Sequence, residues 1–89
     1  MMVLFEVYTQ GIPQSQPVLS PEAREETQAV EMTVEEAEKL GFGGLSDEVK
    51  AAQPRLIAVR SQDAGFIRHC VEHHAGVSQF RMHEVQGAG

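Results

Sequence analysis

Four consecutive apolar residues, Leu56-Ile57-Ala58-Val59, follow Pro54 and Arg55 and are closed off by Arg60. A short run that is apolar on both sides of a strand reads as a central strand of a sheet. The chain must therefore supply further strands to pair with it, and the search for them sets the fold class.

Met2 to Thr9 is the first candidate. Val3, Phe5 and Val7 fall on one face and Leu4, Glu6 and Tyr8 on the other, with β-branched and aromatic residues dominating. The mixed second face predicts a strand only partly covered on that side. Gln79 to Val85 also alternates, with Phe80 and Met82 inward and Gln79, Arg81 and His83 solvated. A third, weaker candidate is Gln28 to Met32, with Val30 and Met32 on one face; one continuous helix over residues 21–40 competes with it.

Helix boundaries are written in the chemistry of the caps. Ser20-Pro21-Glu22 offers an N-cap oxygen, a proline at the first helical position and an acid at the positive end of the dipole. Thr33-Val34-Glu35-Glu36 matches a capping box, and Gly41-Phe42 matches a Schellman ending for a helix over 34–40. Ser46 is placed to cap a short helix ended by Pro54. Ser61 is expected to cap a helix reaching about Ala75, with Gly76 as a left-handed stop. The Phe42-Gly43-Gly44 turn has neither the lysine nor the hydroxyl of a phosphate loop.

These elements predict an α+β domain over residues 1–89. The expected architecture is a two-layer α/β sandwich: a three- or four-stranded mixed sheet, helices mainly on one face, and a C-terminal strand–helix–strand unit. It is loosely like ferredoxin-type folds, although the predicted element order fits them poorly. Residues 10–20, rich in Pro, Gln and Ser, read as a flexible loop, and residues 86–89 as a frayed tail. The expected core is Val3, Phe5, Val7, Leu40, Leu56, Ile57, Val59, Phe66, Ile67, Val71, Phe80 and Met82.

Charge is the feature that bears most on function. The formal net charge is −6. Residues 22–39 hold seven acids against Arg24 and Lys39, a net −5, while residues 40–89 balance five acids with five bases. Duplex binding needs clustered Lys and Arg, so direct nucleic-acid contact is not expected. No stretch nears the roughly 20 apolar residues of a membrane helix. No basic segment precedes the apolar run Met1 to Phe5, so no cleavable leader is expected. With Cys70 the one cysteine, a reducing, cytoplasmic setting is the expectation.

One constellation invites chemistry: His69-Cys70-Val71-Glu72-His73-His74, with His83 on the next strand. Helical spacing puts Phe66, Ile67, Cys70, Val71 and His74 on the buried stripe. His69 and His73, four residues apart, can converge on a metal. They are the metal candidates; Cys70 and His74 form a second such pair, facing inward, but no second CxxC or HxxxH from a separate element completes a four-ligand site. Cys70 lies mid-helix rather than at a helix start, so a catalytic thiol is not expected. No assembled catalytic constellation and no cofactor motif is visible.

The leading expectation is a small, acidic, non-catalytic protein-binding module, a regulator or inhibitor that occludes a basic surface on a protein partner. A nucleic-acid-binding protein is one candidate partner, and a homodimer is compatible with the sequence. The docking residues would be Glu22, Glu25, Glu26, Glu31, Glu35 and Glu38. The alternative is a small-ligand or metal-sensing domain built on the His-rich helix 62–75.

Overall fold

The computed structural model describes residues 1–42 and 45–85; Gly43, Gly44 and the tail expected at 86–89 lie outside the described residues. In chain order the elements are β1 (Met2–Thr9), α1 (Pro21–Thr27), β2 (Val30–Met32), α2 (Val34–Lys39), α3 (Asp47–Ala52), β3 (Arg55–Arg60), a 3₁₀ turn (Ser61–Asp63), α4 (Ala64–Glu72) and β4 (Val77–Val85).

The four strands form one sheet in the order β2-β3-β1-β4, and every neighbouring pair is antiparallel. This corrects the expectation of a mixed sheet. β3 and β4 run parallel to each other, but β1 lies between them, so the strand–helix–strand unit is split. Setting α2 and α3 aside as an insertion between β2 and β3, the order β-α-β-β-α-β is that of ferredoxin-type split β-α-β sheets.

The helices are not mainly on one face. Val3, Phe5 and Val7 of β1 and Ile57 and Val59 of β3 pack with Ala23 of α1 and Ala64, Ile67 and Val71 of α4. On the opposite face Leu4, Leu56 and Ala58 pack with Met32, Val34 and Ala37 of β2 and α2, and Val49 of α3. The physical reason is β3 itself. A strand apolar on both faces needs an apolar layer on each, and the inserted helices supply the second. β1 is covered on both sides for the same reason: Leu4 and Glu6 are each only 2% exposed.

The caps form as the sequence chemistry dictates. The Ser20 hydroxyl accepts from the Ala23 N–H, and the Thr33 and Glu36 side chains and backbones exchange the two bonds of a capping box. Gly41 takes φ +91°, with the N–H of Phe42 on the Ala37 carbonyl and that of Gly41 on Glu38, as a Schellman ending requires. Ser46 caps α3 through the Val49 N–H.

At α4 the expectations fail in detail. Ser61 begins a 3₁₀ turn and does not cap α4; the Asp63 carboxylate at its start is held by the Arg60 guanidinium at 2.8–2.9 Å. The helix stops at Glu72, three residues early. Gly76 is not left-handed. A Cβ there would lie 2.6 Å from the Ile12 side chain, which would have to shift to admit it. The buried stripe is Ala64, Ile67 and Val71, so Phe66 is 45% exposed and Cys70 only half-buried. Leu40 (62% exposed) and Met82 (40%) also leave the expected core, since Leu40 ends a helix and Met82 lies on an edge strand. Phe80 is half-buried against the α4 side, its ring centroid 6.2 Å from that of Phe5.

Candidate functional site: the acidic edge

β2 is the edge strand at one end of the sheet, three residues long and paired only through Val30, Glu31 and Met32 to β3. α1 enters it and α2 leaves it. α1 packs on one face of the sheet through Ala23 and α2 on the other through Val34 and Ala37. Burial of those small apolar residues turns the acidic positions outward, and Glu22, Glu25 and Glu26 of α1 and Glu35 and Glu38 of α2 are all exposed. The charge that looked like one run in the sequence therefore stands on both sides of a single edge.

Two acids of the run have internal work. Glu31, expected as a docking residue, turns inward, and its two carboxylate oxygens accept from the N–H groups of Val18 and Leu19, each at 2.8 Å. Glu36 closes the capping box. Glu35 makes an exposed ion pair with Lys39 at 3.7 Å, a contact of little energetic weight that leaves both groups in water.

Beside β2 lies an open groove of ≈ 440 Å³, walled by residues 14–17 of the long connection, by residues 29–33, and by Gln53 to Arg55. The connection is fastened there. Arg55, at the start of β3, donates to the carbonyls of Gln16, Pro13 and Ile12. Val18 and Leu19 are buried, and Glu31 holds their amides. Arg24 lines the same groove, and its Nε is buried with no hydrogen-bond acceptor among the described residues.

The histidine-rich helix is arranged differently. His69 and His73 are exposed neighbours with ring centroids 4.4 Å apart. Among the described residues no cluster of three or more His, Cys, Asp and Glu side chains stands ready to hold a metal. His74 lies past the helix end, and its Nδ1 accepts the Gly76 N–H at 2.9 Å. Burial pushes the Cys70 thiol above its ordinary pKa, so it carries less thiolate at neutral pH than a free cysteine.

One polar cluster was not foreseen. The Glu6 carboxylate, buried in the centre of β1, accepts from the Tyr8 hydroxyl at 3.1 Å and from Nε2 of His83 on β4. Partial burial, and then the hydrogen bond to Glu6, hold the Tyr8 phenol above its usual range. The signal was available: an acid in the middle of an otherwise apolar strand must find donors, and His83 lies on the sheet face that Glu6 shares. The arrangement ties β4 to β1.

No protein-family model, curated protein or solved structure matches this chain. No helix among the described residues is long and apolar enough to cross a membrane.

Proposed function

We propose that the chain is a small, acidic, non-catalytic protein-binding module that regulates or inhibits a protein partner by covering a basic surface. One observation supports the reading: α1 and α2, which flank the edge strand β2 in the chain and pack on opposite faces of the sheet, both carry exposed carboxylates. A basic surface of the kind that nucleic-acid-binding proteins present is its electrostatic complement. Such complementarity acts chiefly on association rate and choice of partner. Glu22, Glu25, Glu26, Glu35 and Glu38 make the contact, while Glu31 and Glu36 hold the edge in shape.

The test uses one double charge-reversal variant per helix, Glu25→Lys/Glu26→Lys on α1 and Glu35→Lys/Glu38→Lys on α2. A partner captured with the wild-type chain should associate more slowly with each variant and show a weaker dependence on salt. Folding should be nearly unchanged, within about 0.5 kcal/mol per exposed site. Unaltered association rate and salt slope in both folded variants would make the acidic edge a solvated surface and nothing more.

A further inference from the structure

The groove beside β2 is lined by the whole of that strand. We infer, resting on the acidic docking surface proposed above, that an extended Lys- or Arg-rich segment of the partner adds to the sheet there as a further strand. β2 pairs on one side only, through Val30, Glu31 and Met32 to β3. Its other side has no partner strand among the described residues, so the outward N–H and C=O groups are a template for an incoming backbone. The groove volume of ≈ 440 Å³ lies within the range of about 300–1,000 Å³ usual for binding pockets. Val30, 51% exposed on the strand, offers an apolar contact to alternate side chains of the segment.

Charge selects the occupant. The charged side chains lining the groove are Arg24, Glu31, Glu36 and Arg55. Two of them are spent on the chain's own backbone: Glu31 on the amides of Val18 and Leu19, and Arg55 on the carbonyls of Ile12, Pro13 and Gln16. The other two keep capacity for a ligand. Arg24 Nε is buried without an acceptor among the described residues, and a backbone carbonyl is the acceptor that any extended segment brings. Glu36 is exposed and engages only Oε1, on the Thr33 N–H, among the described residues. Its carboxylate is the partner for a Lys or Arg side chain of the segment. The flanking helices reinforce that preference. Residues 22–39 carry a net −5, so this edge attracts a basic strand and repels an acidic one, the β2 edge of a second copy included.

Two synthetic peptides of alternating Lys and Val, one plain and one N-methylated at every backbone amide, test the pairing against the full chain. They share length, charge and side chains, and only the plain one donates hydrogen bonds to a strand edge. The plain peptide should bind at least about tenfold more tightly. Its backbone should give nuclear Overhauser contacts to Val30, Glu31 and Met32. Arg24→Lys, which keeps the charge and loses the Nε donor, should weaken the plain peptide about tenfold. Equal affinity for the two peptides overturns the inference. So do backbone contacts centred on another strand, a plain peptide that fails to bind at roughly millimolar concentration, or binding indifferent to Arg24→Lys. The fate of the acidic docking surface is read separately in Glu25→Lys/Glu26→Lys. Equal affinities that this variant lowers leave the surface standing without strand addition; equal affinities that it does not lower remove both. The two peptides compared on the wild-type chain decide the matter even if a variant fails to fold.

Discussion

The two edges of the sheet are built on different physical principles. β2 contributes only three paired residues and is kept in place by side chains: Glu31 on the amides of Val18 and Leu19, and the capping box of Thr33 and Glu36 directly after it. β4 is long, paired to β1 from Val77 to Val85 except at the bulge that skips Ser78, and backed by Phe80 and Val77 against the α4 core. The short edge is surrounded by like charge, one of the ways in which natural sheets keep edges from pairing indiscriminately. The long edge is nearly neutral. One domain thus separates an acidic edge from a nearly neutral one.

The largest expected effect tests what supports the β4 side. Ile67 is fully buried beneath α4, whereas Phe66 beside it is 45% exposed. Ile67→Ala should cost about 2–5 kcal/mol by lost transfer energy and the cavity left behind. Phe66→Ala should cost clearly less, and urea midpoints of the two variants compare them directly. Equal losses would mean that α4 presents a different face to the sheet.

Next comes the β2 side, where the hydrogen bonds to Glu31 are claimed to do the holding. Glu31→Ala leaves two amides of buried residues without acceptors and should cost about 1–3 kcal/mol. The amides of Val18 and Leu19 should exchange faster in that variant. Glu35→Ala, one helix further on, should stay within about 0.5 kcal/mol of wild type. If Glu31→Ala and Glu35→Ala behave alike, the distinction between structural and free carboxylates at this edge fails.

On β4 the corresponding test removes one donor to the buried Glu6 carboxylate. His83→Ala leaves Tyr8 as a donor and lets solvent into a half-exposed site, so the expected loss is about 1–2 kcal/mol. Thermal unfolding of the variant measures it, and a loss near zero would show that the hydrogen bond does not fasten the strand.

The smallest effect concerns Cys70. Burial raises its pKa in the folded state, so the unfolded chain ionises first as pH climbs. The stability that the neutral thiol provides is present below the ordinary thiol range and is lost as pH rises through the folded value. Melting temperatures of wild type and Cys70→Ser should therefore converge or cross between pH 7 and pH 10. A constant difference would remove the burial argument.

Much of the fold is legible in the sequence because local chemistry fixes it. β1 and β3 have the expected boundaries, and the caps at Ser20, Thr33, Gly41 and Ser46 form as written. The layering was also encoded, since Leu56 and Ala58 on one face and Ile57 and Val59 on the other demand cover on both sides. That demand conflicts with helices on one face only, and the structure resolves it through α2 and α3. What local pattern could not give was long-range: that β1 inserts between β3 and β4, that Glu31 turns inward to Val18 and Leu19, and that Glu6 meets His83 across 77 residues. The rotation of α4 was misjudged because three apolar positions, Phe66, Cys70 and Val71, fit two overlapping stripes, and contact with β4 and β3 selects the one through Ala64, Ile67 and Val71. The acidic run was plain in the sequence; its division between two faces of one edge was not.

The central claim is that free negative charge is concentrated at the β2 edge and draws basic partners there. Amide chemical-shift mapping of the labelled chain against a hexalysine peptide tests this without knowledge of the natural partner. The account predicts salt-sensitive shifts confined to residues 22–39, led by Glu25, Glu26, Glu35 and Glu38. It predicts none of comparable size around Asp63, Glu72 or Glu84. Shifts of equal size at those three carboxylates, or shifts centred on β4, would contradict it.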